Sequence, residues 1–322
     1  MYISQVFKVE HDWWRYIIGV VGAIIGVGIF SMPHLIALMM KVFDGTADQA
    51  KFDDMNYLMT LFEPNLNLVF LLLPFVGGLI CLLLLVKYLH KQSFKMLTTS
   101  RKKIDWKRFW FAFLFWGLIS SGMMLVDYFM APEGYELNFK LGKFLVLCVI
   151  AILLVPLQTS FEEYLFRGYL MQGIGVLVKN KWFPLLFTSV LFGLLHIANP
   201  EIEKLGYILL VYYIGTGLFL GIMTLMDEGL ELALGFHAAN NLFTALLVTA
   251  DWTALQTDSI FKDISDPTKA GFIDVFAPVF ILFPILLLIF AKVYKWTNWK
   301  EKLFGAVVEP PKEDYKVLGE DI

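Results

Sequence analysis

The stretch Phe144-Leu-Val-Leu-Cys-Val-Ile-Ala-Ile-Leu-Leu-Val-Pro-Leu-Gln-Thr-Ser-Phe-Glu-Glu-Tyr-Leu-Phe-Arg-Gly168 decides how the chain is read. It begins as an apolar run of the length that spans a bilayer, since about 20 such residues cross the hydrocarbon core. It then carries Glu162, Glu163 and Arg167 inside the same apolar context. Ionisable groups at membrane depth are expensive, so each is a functional candidate by default.

The rest of the chain fits a membrane solvent. Of its 322 residues 58% are apolar and only 17% charged, where soluble domains carry roughly 25% charged residues. The mean hydropathy is +0.67. Apolar runs predict an all-α, polytopic bundle of about eight transmembrane helices, at 16–40, 66–86, 109–131, 144–178, 182–199, 207–226, 230–250 and 275–294. The fourth is too long for one crossing and is expected to tilt, kink near Pro156 or protrude. A net charge of −3 excludes nucleic acid as a partner, which requires a clustered basic face. Cys81 and Cys148 lie in apolar runs, so neither a disulfide framework nor a cysteine metal site is expected. The N-terminus opens with a mixed polar segment and lacks Ala-x-Ala chemistry, so no secretory signal is expected.

Orientation follows from basic residues in the connections. With the N-terminus inside, 19 of the 26 Lys and Arg fall on inside segments, many in the loop Lys87–Arg108. Both termini are therefore expected in the cytoplasm, the bilayer being a bacterial plasma membrane. The acidic segments 42–65 and 251–274 read as external. The chain divides into 1–140 (the first spans and the basic loop), 141–250 (a core rich in buried polar groups), 251–294 (an external loop and last span) and 295–322 (a polar cytoplasmic tail). From Lys292 onward the tail reads as disordered. Asp227, Glu228 and Glu231 read as a solvated inner turn. Gly22 with Gly26, and Gly217 with Gly221, have the spacing that lets helices approach closely.

The second half concentrates the polar groups: Glu162, Glu163 and Arg167 on one span, Phe192 and His196 on the next, His237 and Asn241 on another. Glu163 and Arg167 are four apart and can pair on one helix face. Glu162 is turned about 100° from Glu163 and points elsewhere, which leaves one carboxylate free to act. His237 and Asn241, also four apart, present an imidazole and an amide to one side. Phe192, four residues before His196, can wall the site or steady that ring. Glu162 and His196 each lie 17 residues from Lys179, in the polar turn Lys179-Asn-Lys181, so an antiparallel hairpin lets them meet. His237 is about 15 Å from its inner turn and Glu162 about 25 Å from Lys179, at 1.5 Å per residue. The hairpin is therefore expected to extend beyond the bilayer, with a shallow site open to cytosolic water.

In order, Glu162-Glu163-x-x-x-Arg167, Phe192-x-x-x-His196 and His237-x-x-x-Asn241 resemble the CAAX protease and bacteriocin-processing family, whose best-known members are the type II CaaX prenyl endopeptidases. Trp182, ahead of Leu191-Phe-Gly-Leu-Leu-His196, is similar too. The resemblance covers residues 140–250 and implies an intramembrane endopeptidase with its cavity toward the cytosol, acting on a membrane-associated or lipidated peptide. It maps the catalytic acid onto Glu162, its partner onto His196, and the groups flanking the tetrahedral intermediate onto His237 and Asn241. Glu163, Arg167 and Phe192 are supporting residues. No cofactor is expected on the favoured reading. The competing readings are a zinc protease with Glu162, His196 and His237 as ligands, and a non-catalytic scaffold or ion-coupled transporter.

Overall fold

The computed structural model describes residues 1–269 and 271–311. Its principal helices are α1 (Trp13–Phe43), α2 (Pro64–Tyr88), α3 (Trp106–Met130), α4 (Leu141–Val178), α5 (Trp182–Leu194), α6 (Leu210–Asp227), α7 (Glu231–Leu247), α8 (Phe272–Tyr294) and α9 (Trp299–Phe304). Six of these segments are long and apolar enough to cross a membrane, which makes the protein an integral membrane protein. α5, with 13 residues, and α7, with 17, are shorter than these six, so the expected count of eight spans is not confirmed. Ile24 of α1, Leu118 of α3 and Leu153 of α4 are among many large apolar side chains left exposed on the outer faces, as expected where the solvent is lipid.

Helix starts follow local chemistry. At α2, the Glu63 carboxylate accepts from the Asn65 amide while Pro64 occupies the first turn, where its missing N–H costs nothing. At α3, Asp105 accepts from the Lys107 amide. The bundle is built from the pairs α1–α2, α2–α4, α4–α7, α3–α7 and α5–α6. Both small-residue pairs lie at such contacts. A side chain at Gly26 would strike the Gly77 carbonyl at 2.5 Å, and one at Gly217 would strike the Ser189 Cα at 2.8 Å. Three short strands, Tyr135–Leu137, Val248–Ala250 and Phe261–Asp263, add a small sheet to the helical fold, with the last strand central.

At the end of the bundle carrying the N-terminus and the 89–105 loop, two expectations are corrected. The acidic turn is not solvated: Asp227 and Glu231 are buried. Arg101 donates to Asp227 at 2.7 Å and to Glu231 at 3.0 Å; Arg108 also pairs with Asp227, and the Trp296 indole donates to it at 3.1 Å. Glu228 bonds the Tyr2 amide and Lys302. The tail is not disordered from Lys292. That residue lies within α8, and α9 follows, with Val307 buried and its amide donating to the Lys179 carbonyl at 3.0 Å. Residues 312–322 of the tail lie outside the described residues. Further along, α4 carries a π-helical stretch, Tyr164–Leu170, between α-helical halves.

Candidate active site

The site is built on α4, α7 and the α5–α6 hairpin. Glu162 and Glu163 end the first α-helical half of α4, and Arg167 lies in the π-helical stretch that follows. Such wide turns occur frequently at functional sites. Glu163 and Arg167 are both fully buried, with Nη1 donating to Oε1 at 2.9 Å. Arg167 Nη2 reaches the Gly217 carbonyl of α6 at 3.3 Å, and its guanidinium lies 4.4 Å above the Phe192 ring. Glu163 Oε2 and Arg167 Nε are buried with no hydrogen-bond partner among the described residues.

His237 of α7 sits between the two acids. Its Nδ1 is 2.7 Å from Glu163 Oε1 and its Nε2 is 3.5 Å from Glu162 Oε2. Glu163 therefore serves two partners, Arg167 and His237, where helical spacing alone assigned it one. One turn along each helix, Asn241 Nδ2 donates to Gln158 Oε1 at 3.1 Å. Glu162 with His237 and Gln158 with Asn241 are thus successive rungs between antiparallel helices, each step four residues.

His196 lies apart from this cluster. α5 ends at Leu194, so His196 occupies the following turn rather than a span reaching residue 199. Among the described residues no hydrogen bond or ion pair joins it to Glu162. The link is Phe192, whose ring is 4.7 Å from His196 and 6.1 Å from His237 between centroids. Phe192 thereby carries the guanidinium on its face and neighbours both imidazole rings. His196 Nδ1 is 2.7 Å from the Phe192 carbonyl, and Tyr213 of α6 stacks on its ring at 4.2 Å. Because a carbonyl accepts only, Nδ1 carries the proton and Nε2 of the neutral ring carries the lone pair.

Sequence reasoning missed Gln158, Tyr213, Asn240 and Trp116. Gln158 had a signal, since it stands four residues before Glu162 on one helix face. Tyr213 had none, being one aromatic among many. Among the described residues no group of three His, Cys, Asp or Glu side chains that could hold a metal ion is found. Both nitrogens of His237 already face carboxylates, and Nδ1 of His196 is committed to a backbone carbonyl.

The helices that carry this geometry are also those a known family describes. Residues 141–243 match the family model for type II CAAX prenyl endopeptidase Rce1-like proteins. The chain is 30% identical over 237 residues to the uncharacterized protein YyaK of Bacillus subtilis (strain 168), covering 73% of this chain and 78% of that protein. No solved structure matches. The paired acids, the arginine behind them and the two histidine helices fall within the matched segment, and the chain belongs to the Rce1-like family of type II CAAX prenyl endopeptidases, membrane-embedded proteases that act on membrane-associated substrates.

Proposed function

We propose that the protein hydrolyses a peptide bond in a membrane-associated or lipidated peptide through Glu162, His196, His237 and Asn241, without a metal. The observation that carries this reading is the seat of His237 between two carboxylates, with the Asn241 amide one turn away on the same side. Prenylated CaaX tails, leader peptides and bacteriocin-related peptides are the substrate classes the family suggests. The excess of Lys and Arg on the inside segments supports a cavity facing the cytoplasm of a bacterial plasma membrane, with both termini on that side.

The chemistry follows from the hydrogen-bonding roles. Glu162, as carboxylate, removes a proton from water while the water oxygen attacks the scissile carbonyl. His196 Nε2 orients that water or shuttles its proton. Collapse of the tetrahedral intermediate breaks the C–N bond and returns the proton to the leaving amine. His237 serves the developing oxyanion under one condition. With Nδ1–H given to Glu163, its Nε2 can donate only when the ring holds both protons. In that state Glu162 and Glu163 are balanced by Arg167 and the imidazolium, so the buried set sums to zero charge. Asn241 supplies the second donor; such donors contribute about 3–4 kcal/mol each.

The test is cleavage of a donor–quencher-labelled farnesylated CaaX peptide, and of a leader-peptide library, by purified enzyme in detergent. Glu162→Gln and His196→Ala should each abolish turnover while leaving thermal unfolding near wild type. Near-normal cleavage by Glu162→Gln would overturn the assignment of the base.

A further inference from the structure

The Asn241 amide is held from both ends by a chain of side chains that begins outside the segment shared with the family. Trp116 of α3 donates from Nε1 to Asn240 Oδ1 at 3.0 Å. Asn240 Nδ2 donates to Asn241 Oδ1 at 3.1 Å, and Asn241 Nδ2 donates to Gln158 Oε1 at 3.1 Å. Trp116 and Gln158, the two ends, are buried. An indole N–H can only donate. It therefore compels Asn240 to present oxygen toward it and nitrogen away. Asn241 must then turn its oxygen to Asn240 and its nitrogen to Gln158, which must accept.

We propose that Trp116 and Gln158 are positioning residues that fix the polarity of the Asn241 amide, so that its second N–H, rather than its oxygen, is presented to the reacting carbonyl. A primary amide has two N–H groups, and Gln158 uses one. Flipping the amide would place an acceptor against an oxyanion and turn a stabilising contact into a repulsive one. The inference rests on the reading of Asn241 as an oxyanion donor, and it gives α3 a part in the chemistry. α3 is suited to deliver the indole because it packs closely on α7: a side chain at Gly235 would meet the Phe109 carbonyl at 2.2 Å.

The test uses full-length protein and two variants that keep shape. Trp116→Phe retains the aromatic ring without the N–H, and Gln158→Met retains length without the carbonyl. On the farnesylated CaaX peptide, each should lower kcat about tenfold with KM nearly unchanged, because the donor acts on the transition state. In an Asn241→Ala background neither should lower kcat further, the non-additivity expected of residues acting through one group. Equal losses with and without Asn241, or a rise in KM alone, would overturn the relay. If Asn241→Ala itself kept full kcat, the oxyanion reading would fall instead. The relay is then judged by thermal unfolding, where a double-mutant cycle between Gln158 and Asn241 should show coupling. Additive shifts in that cycle would overturn it.

Discussion

Arg167 and Glu163 meet at 2.9 Å with neither side chain reaching solvent. A pair so placed is costly to break from one side, because the survivor remains charged and dry. Arg167→Ala should destabilise the protein by about 3–5 kcal/mol, the scale for removing one partner of a buried pair. Arg167→Lys should recover part of that, since it keeps charge but loses the planar stack on Phe192. Thermal unfolding in detergent measures both. An Arg167→Ala protein that unfolds at the wild-type temperature would show that the pair is not structural.

The donor set predicts metal-independent turnover. Elemental analysis of active enzyme should find no stoichiometric zinc, and activity should survive exhaustive chelation. His237→Ala and Asn241→Ala should each slow turnover about a hundredfold or more while substrate binding changes less, on the scale of single oxyanion donors. A zinc reading gives a different pattern: His237 alone would matter, because an amide is a poor zinc ligand. One tightly held zinc per chain, lost with activity and restored with it, would sink the metal-free mechanism.

Topology is open to a labelling experiment. Lys102 and Glu133 are both exposed, one in the basic loop and one beyond α3. With the N-terminus inside, a membrane-impermeant maleimide applied to intact cells should modify Glu133→Cys and leave Lys102→Cys untouched until the membrane is opened. Modification of both from the same side would overturn the orientation.

His90 predicts an acid-side loss of stability. It lies in the loop after α2, fully buried, with its ring nitrogens 2.7 Å from the Glu10 carbonyl and from the Tyr169 hydroxyl. Burial holds its pKa below the ordinary value of 6.5. The unfolded chain therefore takes up a proton before the folded one does. His90 contributes its full stability above about pH 6.5, and that contribution shrinks as pH falls toward the lower folded value, where the loss levels off. Melting temperature from about pH 7.5 to about pH 5 should fall more steeply in the wild type than in His90→Gln. Parallel curves would remove His90 from the account.

What the sequence made legible was set by distance along the chain. The Glu163–Arg167 pair and the shared side of His237 and Asn241 are four-residue relationships, and helical pitch alone supplies them. Membership of one buried cluster by acids on α4 and a histidine on α7 was suggested by the cost of charge in lipid. The acidic turn was misread because the partners of Asp227 and Glu231, Arg101 and Arg108, are more than a hundred residues away, and an acid beside a turn reads as solvated when its cation is out of view. His196 was placed within a span because the apolar run continues through Ile197 and Ala198, although the helix stops at Leu194. The Trp116 relay was invisible for the same reason as Arg101: only the packing of α3 on α7 brings it near.

The π-helical stretch Tyr164–Leu170 sets the phase between two halves of one long helix. Ahead of it, Gln158, Glu162 and Glu163 face α7. Near its end Tyr169 bonds His90 and the Arg15 carbonyl, and beyond it Gln172 accepts from Gln92. An α-helix advances about 100° per residue, so deleting one residue within the wide turn would rewind it and swing every later side chain by that angle. The acids would keep their partners while Tyr169 and Gln172 rotated away from the N-terminal segment and the 89–105 loop. The single extra residue acts as a vernier, letting one continuous rod be tuned to two environments that no uniform helix could face at once.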